Sequence, residues 1–153
     1  MRVSFHEGLT WGVKMLLDVI WVGGLLIYVT LPAGLRWYLE LMFSRPQVVY
    51  RTYLIFLYAS GIFALLIVWE MRRIFARLRQ RQPFVRANVD SLIRVGLASL
   101  AIGLLYFIKL FFLNTILTIV AVMIFLIAGL FALVLAGVFQ QAIEVKEELD
   151  LTI

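Results

Sequence analysis

The chain has 153 residues, 64% of them hydrophobic and 15% charged, with a mean hydropathy of +1.03; soluble domains carry roughly 45 to 50% apolar residues, so a water-soluble globular fold is excluded. The formal charge of +5 comes from arginines bunched in one interval, a pattern of membrane topology rather than of direct nucleic-acid binding. Cysteine is absent, which rules out disulfides, thiolate nucleophiles and cysteine-based metal sites.

A helical span needs about 20 apolar residues to cross a hydrocarbon core of about 30 Å. Ahead of the first such stretch lies a polar segment with His6, the single histidine, expected to face solvent. The first span covers 15–35, with Asp18 near its start and Pro32 near its end. It is long, holds an acid and lacks a small-x-small site, so a retained span is expected rather than a cleaved signal. The second span, 52–69, is free of charge. From Val95 to Phe139 the only charge is Lys109, and that stretch is about twice one crossing. It divides into spans at 92–112 and 116–139, with Asn114 and Thr115 at a tight turn. Residues 140–153 form a polar tail.

The interval between spans two and three holds Arg72, Arg73, Arg77, Arg79, Arg81, Arg86 and Arg94, whereas that between spans one and two holds Arg36, Arg45 and Arg51. Lysine and arginine are retained on the cytoplasmic side, so both termini are expected there. Trp11 and Trp69 then fall at the inner boundary, and Trp37, Tyr38, Tyr50 and Tyr53 at the outer one. The expected fold is all-α: one integral membrane four-helix bundle over residues 1–153, N-in and C-in. A cytoplasmic amphipathic extension, with Ile74, Phe75 and Leu78 on one face among arginines, continues from span two along the inner surface.

Two segments flank this architecture: Gln82-Pro83-Phe84-Val85-Arg86-Ala87-Asn88 before span three, and the terminal Lys146-Glu147-Glu148-Leu149-Asp150-Leu151-Thr152-Ile153. Their order and position resemble the domain of unknown function 2975 family, small four-span bacterial membrane proteins with a Pro-Phe-x-x-x-Asn element and an ending similar to Glu-Glu-x-Asp-Leu-Thr-Ile. Leu149 stands where that pattern has a polar residue, and Ala87 where it has an acid. The resemblance implies the bacterial plasma membrane and no established activity. It also implies a partner, because members tend to be encoded beside a small Cro-type helix-turn-helix regulator.

An acid inside a span is costly and marks an ion path by default. Asp18, however, lies only about 6 Å along the helix from Lys14, and Arg94 is expected at similar depth. An intramembrane ion pair Asp18–Arg94 near the headgroups is therefore expected ahead of a proton relay. Lys109 is expected to snorkel to the outer headgroups. Asn88 is expected to cap the helix that enters span three. Arg72, Arg73, Arg77, Arg79 and Arg81 are candidate anionic-lipid contacts. Ala128, Ala132 and Ala136, with Gly129 and Gly137 alongside, permit close helix contact either with span one or three or in a homo-oligomer.

Leu149, Leu151 and Ile153 alternate with Asp150 and Thr152, a period of two after a helix of period near 3.6, so an extended tail is expected. A single strand cannot stand alone. It docks either on the chain's own cytoplasmic surface at Pro83 and Phe84, with Glu144, Glu147, Glu148 and Asp150 opposite the arginines, or on a partner. The residues expected to meet a partner are Pro83, Phe84, Asn88, Glu147, Glu148, Asp150, Leu151 and Ile153. No serine has an evident base, and there is neither a glycine-rich phosphate loop nor a metal-ligand spacing, so neither an enzyme nor a cofactor is expected. The expected function is to bind or sequester the small cytoplasmic regulator; the alternatives are a small transporter or channel, or a lipid-binding structural protein.

Overall fold

The computed structural model describes residues 2–113 and 115–152, with backbone alone for residues 2–6, 46 and 48. The side chain of His6 therefore lies outside the described residues, as do Asn114 of the expected turn and Ile153 of the tail. Four helices make up the chain: α1 (Arg2–Met42), α2 (Pro46–Arg79), α3 (Arg86–Lys109) and α4 (Ile116–Leu151). All four are long and apolar enough to cross a membrane. The short connections force each helix to run antiparallel to the one before it.

The helices overshoot the expected spans. The 41 residues of α1 extend about 60 Å at 1.5 Å per residue, twice a hydrocarbon core. The broad loop expected between spans one and two shrinks to 43–45, and Pro46 opens α2 at the position where a missing N–H costs least. Span three ends sooner than expected, because α3 stops at Lys109 and 110–113 form a turn.

Helix α2 continues without a break to Arg79. Its Ile74 is buried with Val89 and Leu92 of α3 and Ala136 and Ile143 of α4, and Met71, Leu78, Leu135 and Phe139 pack around them. Ile74 and Leu78 thus pack against α3 and α4. The helix ends in a Schellman turn: Arg81 N–H donates to the Leu78 carbonyl and Gln82 N–H to the Arg77 carbonyl. Arg81 occupies the left-handed φ of 57° there, a place glycine usually takes.

Backbones come close only between consecutive helices, so α3 is flanked by α2 and α4 while α1 leans on α2 alone. Between α3 and α4 the close approach is made at Gly96 and Gly129. A Cβ on Gly129 would stand 2.8 Å from Leu100 Cγ and 3.0 Å from the Gly96 carbonyl. Ala132 and Ala136 are buried on the same face of α4, whereas Ala128 and Gly137 are exposed. The small residues of α4 therefore serve the contact with α3. Between α1 and α2, Gly61 lies under the Tyr28 ring, which meets Tyr58 edge-on at 5.0 Å.

Large apolar side chains cover the outside: Val29 is 74% exposed, Phe111 78% and Ile116 83%. Water would not tolerate such a surface; hydrocarbon does.

The expected extended tail is absent. Helix α4 runs on to Leu151, and Thr152 Oγ1 donates back to the Glu148 carbonyl at 2.7 Å. Adding residues to an existing helix costs little, Glu144 to Leu149 are mostly good helix formers, and no sheet edge is present among the described residues to hold a strand.

Candidate functional site at the arginine-rich end

The segments around the turn between α2 and α3 gather most of the chain's charges at one end of the bundle. Asn88, one turn into α3, is completely buried. It does not cap α3, which begins earlier, after Val85. Its Nδ2 instead donates to the Pro83 carbonyl at 2.8 Å, while its Oδ1 accepts from Arg77 at 3.0 Å. The same Arg77 nitrogen donates to the Ala87 carbonyl at 3.1 Å and to Ser91 Oγ at 3.1 Å. Asn88 thus ties the Pro83-Phe84 turn to the last turn of α2, and the buried polar groups satisfy one another. Phe84 leaves that turn to meet Phe139 of α4 edge-on at 5.5 Å. The Pro83-Phe84 element is therefore closed by the body of α4, ten residues ahead of Leu149, and not by the tail.

The expected Asp18–Arg94 pair does not form, because each residue has a nearer partner. Asp18 Oδ1 accepts from Arg72 Nε at 2.6 Å. The Arg72 guanidinium lies 5.9 Å from the ring centroid of Trp21 and 5.5 Å from that of Trp69, two indoles that meet edge-on. Arg94 donates to Glu70 Oε1 at 3.0 Å, and Arg73 stands 3.7 Å from the same oxygen. The antiparallel register of α1 and α2 decides this: it sets Asp18 beside Arg72 and leaves α3 on the other side of α2. Glu70 is 3% exposed, and its Oε2 has no hydrogen-bond partner among the described residues.

Glu70 directly follows the charge-free stretch that ends at Trp69, so neither run length nor the count of cations beyond it points to this acid. Its spacing of three from Arg73, a helical ion-pair distance, was the available signal. Ser91 carried no signal of its own.

Two further pairs lie toward the tips. Glu7 of α1 accepts from Arg81 at 2.7 Å, and Glu147 of α4 accepts from Arg86 at 3.2 Å. Of the five arginines expected to meet anionic lipid, Arg72 and Arg81 are thus held by acids, Arg73 is close to one, and Arg77 is locked in the turn. Only the Arg79 guanidinium has no partner among the described residues. Of the tail acids, Glu147 reaches an arginine, whereas Glu144, Glu148 and Asp150 form no ion pair among the described residues.

At the opposite end, Lys109 does not reach outward. It is buried, its Nζ 4.7 Å from the ring centroid of Tyr53 and 5.4 Å from that of Tyr106. The two aromatic faces and the C-terminal dipole of α3 favour a cation there.

Residues 28–153 match the model of a family described as protein of unknown function (DUF2975). The chain belongs to that family. The match takes in the second half of α1 and every later helix, and with four apolar helices the chain is a multi-pass membrane protein. No curated protein and no solved structure matches it.

Proposed function

We propose that this chain lies in the bacterial plasma membrane with both termini in the cytoplasm, and that it binds a small cytoplasmic helix-turn-helix regulator through the protruding end of α4, holding it away from DNA. The observation that carries this reading is the exposed helical tail. Beyond Phe139, α4 continues from Gln140 to Leu151, about 18 Å at 1.5 Å per residue. It presents Val145 and Leu149, one turn apart and 55% and 62% exposed, while Leu151, 87% exposed, lies on the opposite side of the last turn.

Outside hydrocarbon, such an apolar stripe on an amphipathic helix fits a groove on a partner. Glu144, Glu148 and Asp150, which form no ion pair among the described residues, give the helix an acidic surround. A DNA-binding domain carries a basic face to meet phosphate, so the acidic helix complements it, whereas the arginines of the α2–α3 turn are mostly engaged inside the chain. Of the contact expected at the α2–α3 loop and the acidic tail together, the reading thus keeps the α4 residues Glu148, Asp150 and Leu149, with Glu147 held by Arg86.

The test is co-purification of the full chain with the helix-turn-helix regulator encoded beside members of the family. Val145→Glu with Leu149→Glu should lower capture about tenfold or more, as loss of two buried apolar anchors implies. Thermal stability in detergent should not change, because both side chains are exposed. Unchanged capture would refute the proposal.

A further inference from the structure

Eight of the nine acids lie in the segments that form the arginine-rich end, at positions 7, 18, 70, 90, 144, 147, 148 and 150; Glu40 alone is at the other. Arg36, Arg45 and Arg51 share that end with it, yet among the described residues none of them forms an ion pair with Glu40. Arg36 is the most telling. It stands one helical turn before Glu40, the spacing at which opposite charges on a helix usually meet.

Arg36 is drawn aside instead. Its guanidinium lies 5.4 Å from the centroid of the Tyr50 ring, and the Tyr50 hydroxyl is itself anchored by donating to the Pro32 carbonyl at 3.3 Å. Between the two helices, Arg36, Glu40, Gln47 and Tyr50 line a recess of about 430 Å³. The cation and the carboxylate are thus held apart on one wall, about 6 Å along the helix axis, both facing the same space.

The depth of this recess matters as much as its charge. Arg36 follows the first apolar stretch directly, and Tyr50 lies two residues before the second. Trp37 and Tyr38, 68% and 51% exposed, mark the aromatic belt where headgroups lie. A recess at that depth meets phospholipid headgroups continuously.

We infer that the recess formed by Arg36, Glu40, Gln47 and Tyr50 binds the zwitterionic headgroup of phosphatidylethanolamine in the leaflet at that end. Arg36 takes the phosphate, for which its planar donors are suited. Glu40 accepts hydrogen bonds from the primary ammonium across the ethanolamine linker, and the Gln47 amide supplies a further donor to phosphate. Primary ammonium is preferred to trimethylammonium because only the former can donate hydrogen bonds to the carboxylate.

The experiment is native mass spectrometry of the full chain released from nanodiscs of equimolar phosphatidylethanolamine and phosphatidylglycerol, repeated with phosphatidylcholine in place of either. The wild-type chain should retain phosphatidylethanolamine over both others. Glu40→Gln should reduce that preference about tenfold, as loss of one charge-assisted contact implies, and Glu40→Asp should keep most of it. Arg36→Gln should weaken retention of all three lipids, because each carries phosphate, and Arg51→Gln, at the same end but outside the recess, should change nothing. Monodisperse variants with unchanged thermal unfolding make the comparison valid, and both positions are exposed enough for that. An unchanged preference in Glu40→Gln, or phosphatidylcholine retained as well as phosphatidylethanolamine, would overturn the assignment. Binding of soluble phosphoethanolamine as tight as that of the lipid would overturn the lipid as occupant.

Discussion

Glu70 of α2 accepts from Arg94 of α3 at 3.0 Å while its second carboxylate oxygen stays buried with no hydrogen-bond partner among the described residues. The pair is asymmetric, because the Arg94 side chain is 52% exposed and that of Glu70 only 4%. Removing the arginine leaves a buried carboxylate whose remaining cation among the described residues is Arg73 at 3.7 Å; removing the acid leaves a cation that can reach headgroups or water. Arg94→Ala should therefore cost about 3 kcal/mol, in line with an orphaned buried charge, and Glu70→Gln distinctly less. Reversible unfolding in detergent or bicelles measures both. Equal losses would mean that Glu70 is better solvated than its surroundings indicate.

Asp18 and Arg72 should couple, and Asp18 and Arg94 should not. In a double-mutant cycle, Asp18→Asn with Arg72→Gln should show a coupling energy of about 1 kcal/mol, the scale of a half-exposed pair. Asp18→Asn with Arg94→Gln should be additive. A measured coupling between Asp18 and Arg94 would place α1 against α3 and contradict the observed order of helices.

The Gly96–Gly129 crossing should reject even a methyl group. Gly129→Ala forces Cβ toward Leu100 and the Gly96 carbonyl, and a carbonyl of the backbone yields poorly. A loss of about 1 to 3 kcal/mol is expected. Gly137→Ala, with nothing within 4 Å of the added carbon, should be neutral or slightly stabilising, since alanine favours helix. Thermal shift of the two variants side by side decides the matter.

Topology can be mapped without a background signal, because the chain has no cysteine. Single cysteines at positions 80 and 148 should be labelled only after the membrane is made permeable, and one at position 44 should react in intact cells. Labelling of position 148 from outside would invert the proposed orientation and remove the cytoplasmic partner with it.

Composition and run length by themselves determined that the chain crosses a membrane four times. Apolar stretches of about 20 residues have no other stable home, and a backbone in hydrocarbon must be helical. The partition of charge between two ends was equally legible, since it follows from where each span stops. The partners of those charges were not. Asp18 and Arg94 lie at similar depth along their own helices, but only the lateral order of the helices and their rotation determine which side chains meet, and that order puts α2 between them. The same holds for Asn88, whose cap-like setting in the sequence becomes a buried brace once Arg77 of the preceding helix is brought beside it. At the tail, five residues of alternation were too few to oppose continuation of a formed helix. Side-chain pairing across helices and the fate of a helix end are decided by tertiary packing, because the energies involved are small beside the hydrophobic term that sets the spans.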